Sequence, residues 1–153
     1  MKPQRVELPE FKIIGIEIRT TNENGQSRTD ISELWKRFYK EDIKNKIPNK
    51  IDSDVIGLYT DYESDFRKPY TMIIGCRVSS LDELPGGMVG KAILSANYSV
   101  FNVRGKLPDE LINTWKQIWS SDMSRAYTAD FEVYGKRSED RENAEMEVFL
   151  SVK

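Results

Sequence analysis

The stretch Asp130-Phe131-Glu132-Val133-Tyr134 sets a carboxylate between aromatic residues in an alternating run. In an extended strand, Tyr127, Ala129, Phe131 and Val133 share one face, and Thr128, Asp130, Glu132 and Tyr134 share the other. A glutamate held among rings can oppose a cation. With its proton affinity raised by desolvation it can also act as a general base. The alternation describes a solvent-facing acid equally well, because Thr128 and Asp130 lie on the same face. Asp61 and Asp130 read as surface or loop-edge acids.

Absent residue types narrow the chemistry. The sequence contains no histidine, which excludes Ser-His-Asp and Cys-His nucleophile pairs and every histidine metal site. Cys76 is the one cysteine, so an intramolecular disulfide and a thiolate zinc cluster are excluded. Its place in the apolar run M-I-I-G-C-R-V reads as a small core residue. G-G-M-V-G lacks the G-K-[ST] ending of a phosphate loop, and no G-x-S-x-G elbow occurs. No catalytic residue, metal or cofactor is assigned, and the reading leans away from an enzyme. Without histidine, a base would have to be Glu, Asp, Tyr or Lys.

Charge and hydropathy bound the partners. A formal net charge of -2 gives no reason to expect the basic face that grips a phosphate backbone, so no direct nucleic-acid partner is expected. No apolar stretch approaches the roughly 20 residues that span a bilayer. The N-terminus, M-K-P-Q-R-V-E-L-P-E, lacks the apolar segment of a secretion signal. A cytoplasmic protein without a membrane partner is expected.

The elements that would position these residues follow from periodicity. F-K-I-I-G-I-E-I-R alternates as a strand. After a turn-rich stretch, Asp30 with Glu33 suggests a capped helix start, and Ile31, Leu34, Trp35 and Phe38 recur at helical spacing. Strands are predicted over 55–62 and 70–78, joined by the charged S-D-F-R-K-P segment, with a loop at L-P-G-G-M. A strand region over 89–103, broken near Ser95, leads to a second helix starting around Pro108. Its apolar stripe is Leu111, Trp115, Ile118 and Trp119. Strands over 128–134 and 144–152 close the chain.

This order is β-α-β-β twice, with internal repeats of approximately 10–80 and 88–153 inside a single domain of 1–153. L-W-K-R-F-Y in the first helix resembles T-W-K-Q-I-W in the second, which matches Trp35 to Trp115 and Tyr39 to Trp119. Laying I-G-L-Y-T-D on A-D-F-E-V-Y matches Tyr59 to Glu132 and Asp61 to Tyr134. One unit alone has too little core, so the two should pair side by side.

The segments I-G-L-Y-T-D-Y-E, Y-T-M-I-I-G, Y-S-V-F-N-V-R-G-K-L, W-K-Q-I-W and D-F-E-V-Y, in this order, resemble the GyrI-like effector-binding domain of AraC-type and MerR-type multidrug-responsive regulators. The resemblance covers most of the chain from Phe11 to Val152. It implies an α+β fold, in which duplicated β-α-β-β modules form a curved antiparallel sheet and two helices flank a central cleft. The cleft would bind small amphipathic or lipophilic molecules, cations included, for sensing or sequestration. The family's acidic anchor falls on Glu132, with Tyr134 beside it. Tyr59, Trp115, Trp119, Trp35, Phe38, Tyr39 and Met72 are the candidate wall residues, although core packing competes for Trp35 and Trp115. The length implies a stand-alone member without a helix-turn-helix domain. Two other readings follow from the family: a protein-interaction module of the gyrase-inhibiting kind with a protein partner, and a hydrolase of a reactive small molecule with Glu132 as base.

Overall fold

The structure is a computed structural model that describes residues 3–153. Eight antiparallel strands form one sheet: β1 (Gln4–Leu8), β2 (Phe11–Thr20), β3 (Val55–Thr60), β4 (Tyr70–Val78), β5 (Val89–Ile93), β6 (Ala96–Gly105), β7 (Ala129–Tyr134) and β8 (Ala144–Val152). The helices are α1 (Gln26–Lys40), the short α2 (Ile43–Lys46) and α3 (Asp109–Ser120). The strand order is β1-β6-β8-β7-β3-β4-β2-β5. Around the central β3–β7 pair the two halves mirror each other: β3, β4 and β2 run outward on one side, and β7, β8 and β6 on the other. The duplicated β-α-β-β order read from the sequence is thus realised in one α+β sheet.

The edge strands cross between halves. β1 pairs with β6, and β5 pairs with β2. Only Pro9 and Glu10 separate β1 from β2, and only Leu94 and Ser95 separate β5 from β6. In a flat sheet β5 and β6 would stand six strand spacings apart, about 29 Å at about 4.8 Å each. Two linker residues allow three Cα steps of about 3.8 Å. The sheet must therefore curl until its ends approach. The face it curls around is a dry cluster of Ile13, Ile56, Leu58, Ile73, Ile93, Tyr98 and Phe131, where Phe131 and Phe149 stack with centroids 4.6 Å apart.

The helices cover the other face, each over its own half. Leu34 and Phe38 of α1 pack on Ile14, Ile16, Met72 and Ile74. Trp115 and Ile118 of α3 pack on Phe101, Val103, Met146 and Val148. Both helices owe their place to apolar residues recurring every three to four positions. Tyr59 and Tyr134 touch both clusters, so the seam between the halves is aromatic.

Several sequence expectations need correction. The first helix starts at Gln26 after the left-handed Gly25, not at Asp30. Asp30 spends its carboxylate on Thr20 Oγ1 and Gln26 Nε2, at 2.8 and 3.0 Å, so it is no capping residue. β1 and α2 were not expected, because five residues with two charges and a four-residue turn carry too short a period to read. Asp130 is wholly buried, not a surface acid.

Candidate functional site

The middle of the sheet sets Gly57 of β3 opposite Glu132 of β7. Strand parity turns Val55, Gly57 and Tyr59 toward the helices, and Asp130, Glu132 and Tyr134 with them. Glycine leaves room for the carboxylate: a Cβ on residue 57 would stand 3.1 Å from Glu132 Oε1. Glu132 is 1% exposed. Its Oε2 accepts hydrogen bonds from Tyr59 Oη and Trp115 Nε1, both at 2.8 Å, and Oε1 accepts one from Tyr134 Oη at 2.6 Å. The matched positions Tyr59 and Glu132 therefore meet across the seam.

No Lys or Arg pairs with Glu132 among the described residues. Burial raises its pKa above the ordinary carboxylate value, and the bonds from Tyr134, Trp115 and Tyr59 pull the other way. Burial, then the neighbouring carboxylate, pushes the Tyr59 and Tyr134 hydroxyls well up. Both stay protonated and donate. The result is a desolvated carboxylate, fixed by three neutral donors and lacking a countercharge.

Tyr59 and Trp115, which hold Glu132, also line a cavity of about 560 Å³, including the space at its open mouth, together with Tyr62, Phe66, Tyr70, Trp119, Ile31, Ile112, Asn22, Ser27 and Arg125; Glu132 itself lies behind this lining. The rings lock one another edge to face: Tyr59 lies 5.4 Å from Trp115 and 5.9 Å from Tyr70. At the mouth, Phe66 stacks on the half-exposed Trp119 at 5.9 Å.

The second buried acid serves the framework. Pairing between β7 and β8 stops at Phe131–Phe149, and there Asp130 Oδ1 accepts the Ser151 N–H and hydroxyl at 2.7 and 2.9 Å. Its Oδ2 takes the Tyr62 hydroxyl and Arg125 Nη2, the latter at 2.9 Å. Tyr62 and Arg125 are thereby held in the cavity wall.

The structure brings Glu132, Tyr59, Tyr134, Trp115 and Trp119 together. Of these, Tyr59, Trp115 and Trp119 line the cavity and Glu132 and Tyr134 lie behind it, whereas Trp35, Phe38, Tyr39 and Met72 stand apart from the lining. Phe38 is core, Met72 lies wholly buried against the sheet, and Tyr39 is 64% exposed. Trp35 packs against Tyr134 at 4.9 Å without lining the cavity. Sequence reading missed Tyr62, Phe66, Tyr70 and Arg125. The spacing Tyr59, Tyr62, Phe66, Tyr70 was a usable signal, since four aromatic residues around one hairpin loop exceed what a solvated connection needs.

A family model described as Cass2, integron-associated effector binding protein, matches residues 6–152. The Bacillus subtilis protein YobU, which carries a provisional assignment as a transcriptional regulator, is 29% identical over 148 residues, 93% of this chain and 92% of that one. An integron cassette protein from the Vibrio cholerae mobile metagenome superposes with a TM-score of 0.77 at 30% identity, over 99% of this chain and 96% of that one. SAV2435, solved bound to tetraphenylphosphonium, superposes with a TM-score of 0.83 at 19% identity, over 100% of this chain and 94% of that one, and shares the fold.

Proposed function

Because the chain belongs to the Cass2 family of integron-associated effector-binding proteins, we propose that it binds lipophilic aromatic cations in this cleft, as a sensing or sequestering protein. The observation that carries the proposal is Glu132: 1% exposed, hydrogen-bonded three times and without a cationic partner. A buried charge without a countercharge is unfavourable unless something compensates it. An aromatic cation does so. Its apolar surface fills the cavity, its charge gains about 0.5–2 kcal/mol from each ring face it meets, and the carboxylate attracts it through a medium of low dielectric.

The ligand of SAV2435 supports this class, since tetraphenylphosphonium is large, aromatic and cationic. The donors around Glu132 argue against its use as a base. Both oxygens already accept hydrogen bonds from groups whose own protons are held tightly, and the carboxylate is 1% exposed, so a water has little access to it. The assignment of YobU supports a sensing role.

Titration of the protein with tetraphenylphosphonium, followed by tryptophan quenching and calorimetry, tests the proposal. Trp115 and Trp119 line the cavity and report directly. Binding by the wild type and a loss of about tenfold or more in Glu132→Gln is the expected result, because removing one buried charge partner costs at least about 1.4 kcal/mol. Equal binding by the two proteins would rule out Glu132 as the anchor.

A further inference from the structure

Arg125 brings a second charge to the same cleft, this one in the lining itself. It is 6% exposed. Its Nη2 donates to Asp130 Oδ2, and its Cζ lies 4.3 Å from the Tyr127 ring centroid and 5.8 Å from that of Phe66. Nε and Nη1 are buried and have no hydrogen-bond partner among the described residues. Buried guanidinium donors ordinarily find acceptors, and a charged donor left unpaired is disfavoured. Asp130 is already bonded on both oxygens by Arg125, Tyr62 and Ser151. Nothing among the described residues answers the three N–H bonds on these two nitrogens.

We infer that the cleft is bipolar: Arg125 is a second anchor, which takes an uncharged oxygen acceptor, such as a ketone or amide carbonyl, on the same aromatic cation that Glu132 attracts. The inference rests on the proposed cation-binding reading and refines its ligand class. Charge selects the acceptor's type. Asp130 neutralises Arg125, and Glu132 adds a negative charge behind Tyr59 and Trp115, two of the cavity's walls. A carboxylate on the ligand would feel two anions and one cation there, whereas a carbonyl is answered by the unpaired donors alone. The approach is over Phe66 and Trp119, the stacked rings at the mouth, since Phe66 also lies over the guanidinium.

The discriminating probes are three phosphonium cations: tetraphenylphosphonium, (4-acetylphenyl)triphenylphosphonium and (4-isopropylphenyl)triphenylphosphonium. The last two match in shape and charge and differ in the carbonyl. Wild-type protein should bind the acetyl compound about tenfold more tightly than the isopropyl one, as fits a hydrogen bond from a charged donor. In Arg125→Lys, which keeps a positive charge beside Asp130 but removes Nε and one amino group, this ratio should fall to about one. Because the ratio is taken within one protein, a general change of affinity in the variant cancels from it. Tetraphenylphosphonium binding with no preference within the matched pair overturns the Arg125 anchor and leaves the cation reading standing. A preference that persists in Arg125→Lys also overturns it. Failure of all three cations to bind overturns both readings. A wild-type ratio of about one overturns the anchor even if the variant does not fold, and Asn22→Ala, which removes another donor in the lining, should leave the wild-type ratio in place.

Discussion

Replacing Tyr134 with Phe should destabilise the protein more than replacing Tyr59 with Phe, although each change removes one hydroxyl from the same carboxylate. Tyr134 is the sole donor to Glu132 Oε1, whereas Tyr59 shares Oε2 with Trp115. The first substitution leaves a dry, charged oxygen without a partner. The second leaves its oxygen one good bond. Hydrogen bonds to charged groups contribute about 1.5–3 kcal/mol net, which puts Tyr134→Phe near about 3 and Tyr59→Phe near about 1.5. At about 2–4 °C per kcal/mol for a chain of this size, the melting temperature should fall by about 6–12 °C and about 3–6 °C respectively. The pH dependence adds a second handle. Burial raises the folded-state pKa of Glu132 above its unfolded value, so its contribution is fully present below the unfolded carboxylate range and is lost as pH rises through the folded value. Removing a donor that lowers this pKa moves the folded value further up. Both variants should therefore regain stability relative to wild type on acidification, Tyr134→Phe the more. Urea unfolding followed by tryptophan fluorescence between pH 5 and 8 measures this, with Glu132→Gln as background. In that background each Tyr→Phe change meets a neutral amide and should cost less than about 1 kcal/mol. Equal costs, a reversed order, or costs unchanged in the Gln background would refute the division of donors between the two oxygens.

Two further outcomes are expected. Gly57→Ala places a methyl group 3.1 Å from Glu132 Oε1 and 3.3 Å from Met72 Cε, so it should cost about 1–2 kcal/mol and weaken tetraphenylphosphonium binding by displacing the carboxylate; unchanged affinity in a titration would contradict this. Asp130→Asn breaks the buried pair with Arg125 and should cost about 3–5 kcal/mol, read by the same urea curves, and a near-neutral substitution would show that Tyr62 and Ser151 alone hold the site.

The doubled β-α-β-β order and most strand positions were legible because they rest on local periodicity, and the family was legible through the resemblance that ordered segments such as D-F-E-V-Y carry. Tyr70–Val78 is a short, β-branched, almost wholly buried run, and Trp115 recurs with Ile118 on one helical face. Parity also grouped Glu132 with Tyr134 correctly, although not which face of the strand was dry. Both faces are, because the sheet curls around Phe131 on one side and carries helices on the other. Asp130 was misread for the same reason. Its burial depends on Arg125, five residues earlier, and Ser151, on another strand, and no local pattern records such a pairing. Phe38 and Tyr39 are adjacent in sequence, yet the 100° step between them sends one into the core and the other to solvent. Adjacency on a helix was a poor guide to which aromatic reaches the cleft.

The exchanged edge strands limit how the cleft can accommodate guests of different size. Spreading the halves apart would pull β1 from β6 or β5 from β2, since each is tied by two residues to the opposite side. The backbone width is therefore set by the clasp. Breadth of recognition, if the protein meets more than one compound, has to come from side chains turning at the rim, where Phe66 and Trp119 lie stacked. The protein resembles a rigid frame with a compliant doorway, and substitutions at the doorway should change which compounds enter while leaving the melting temperature nearly unmoved.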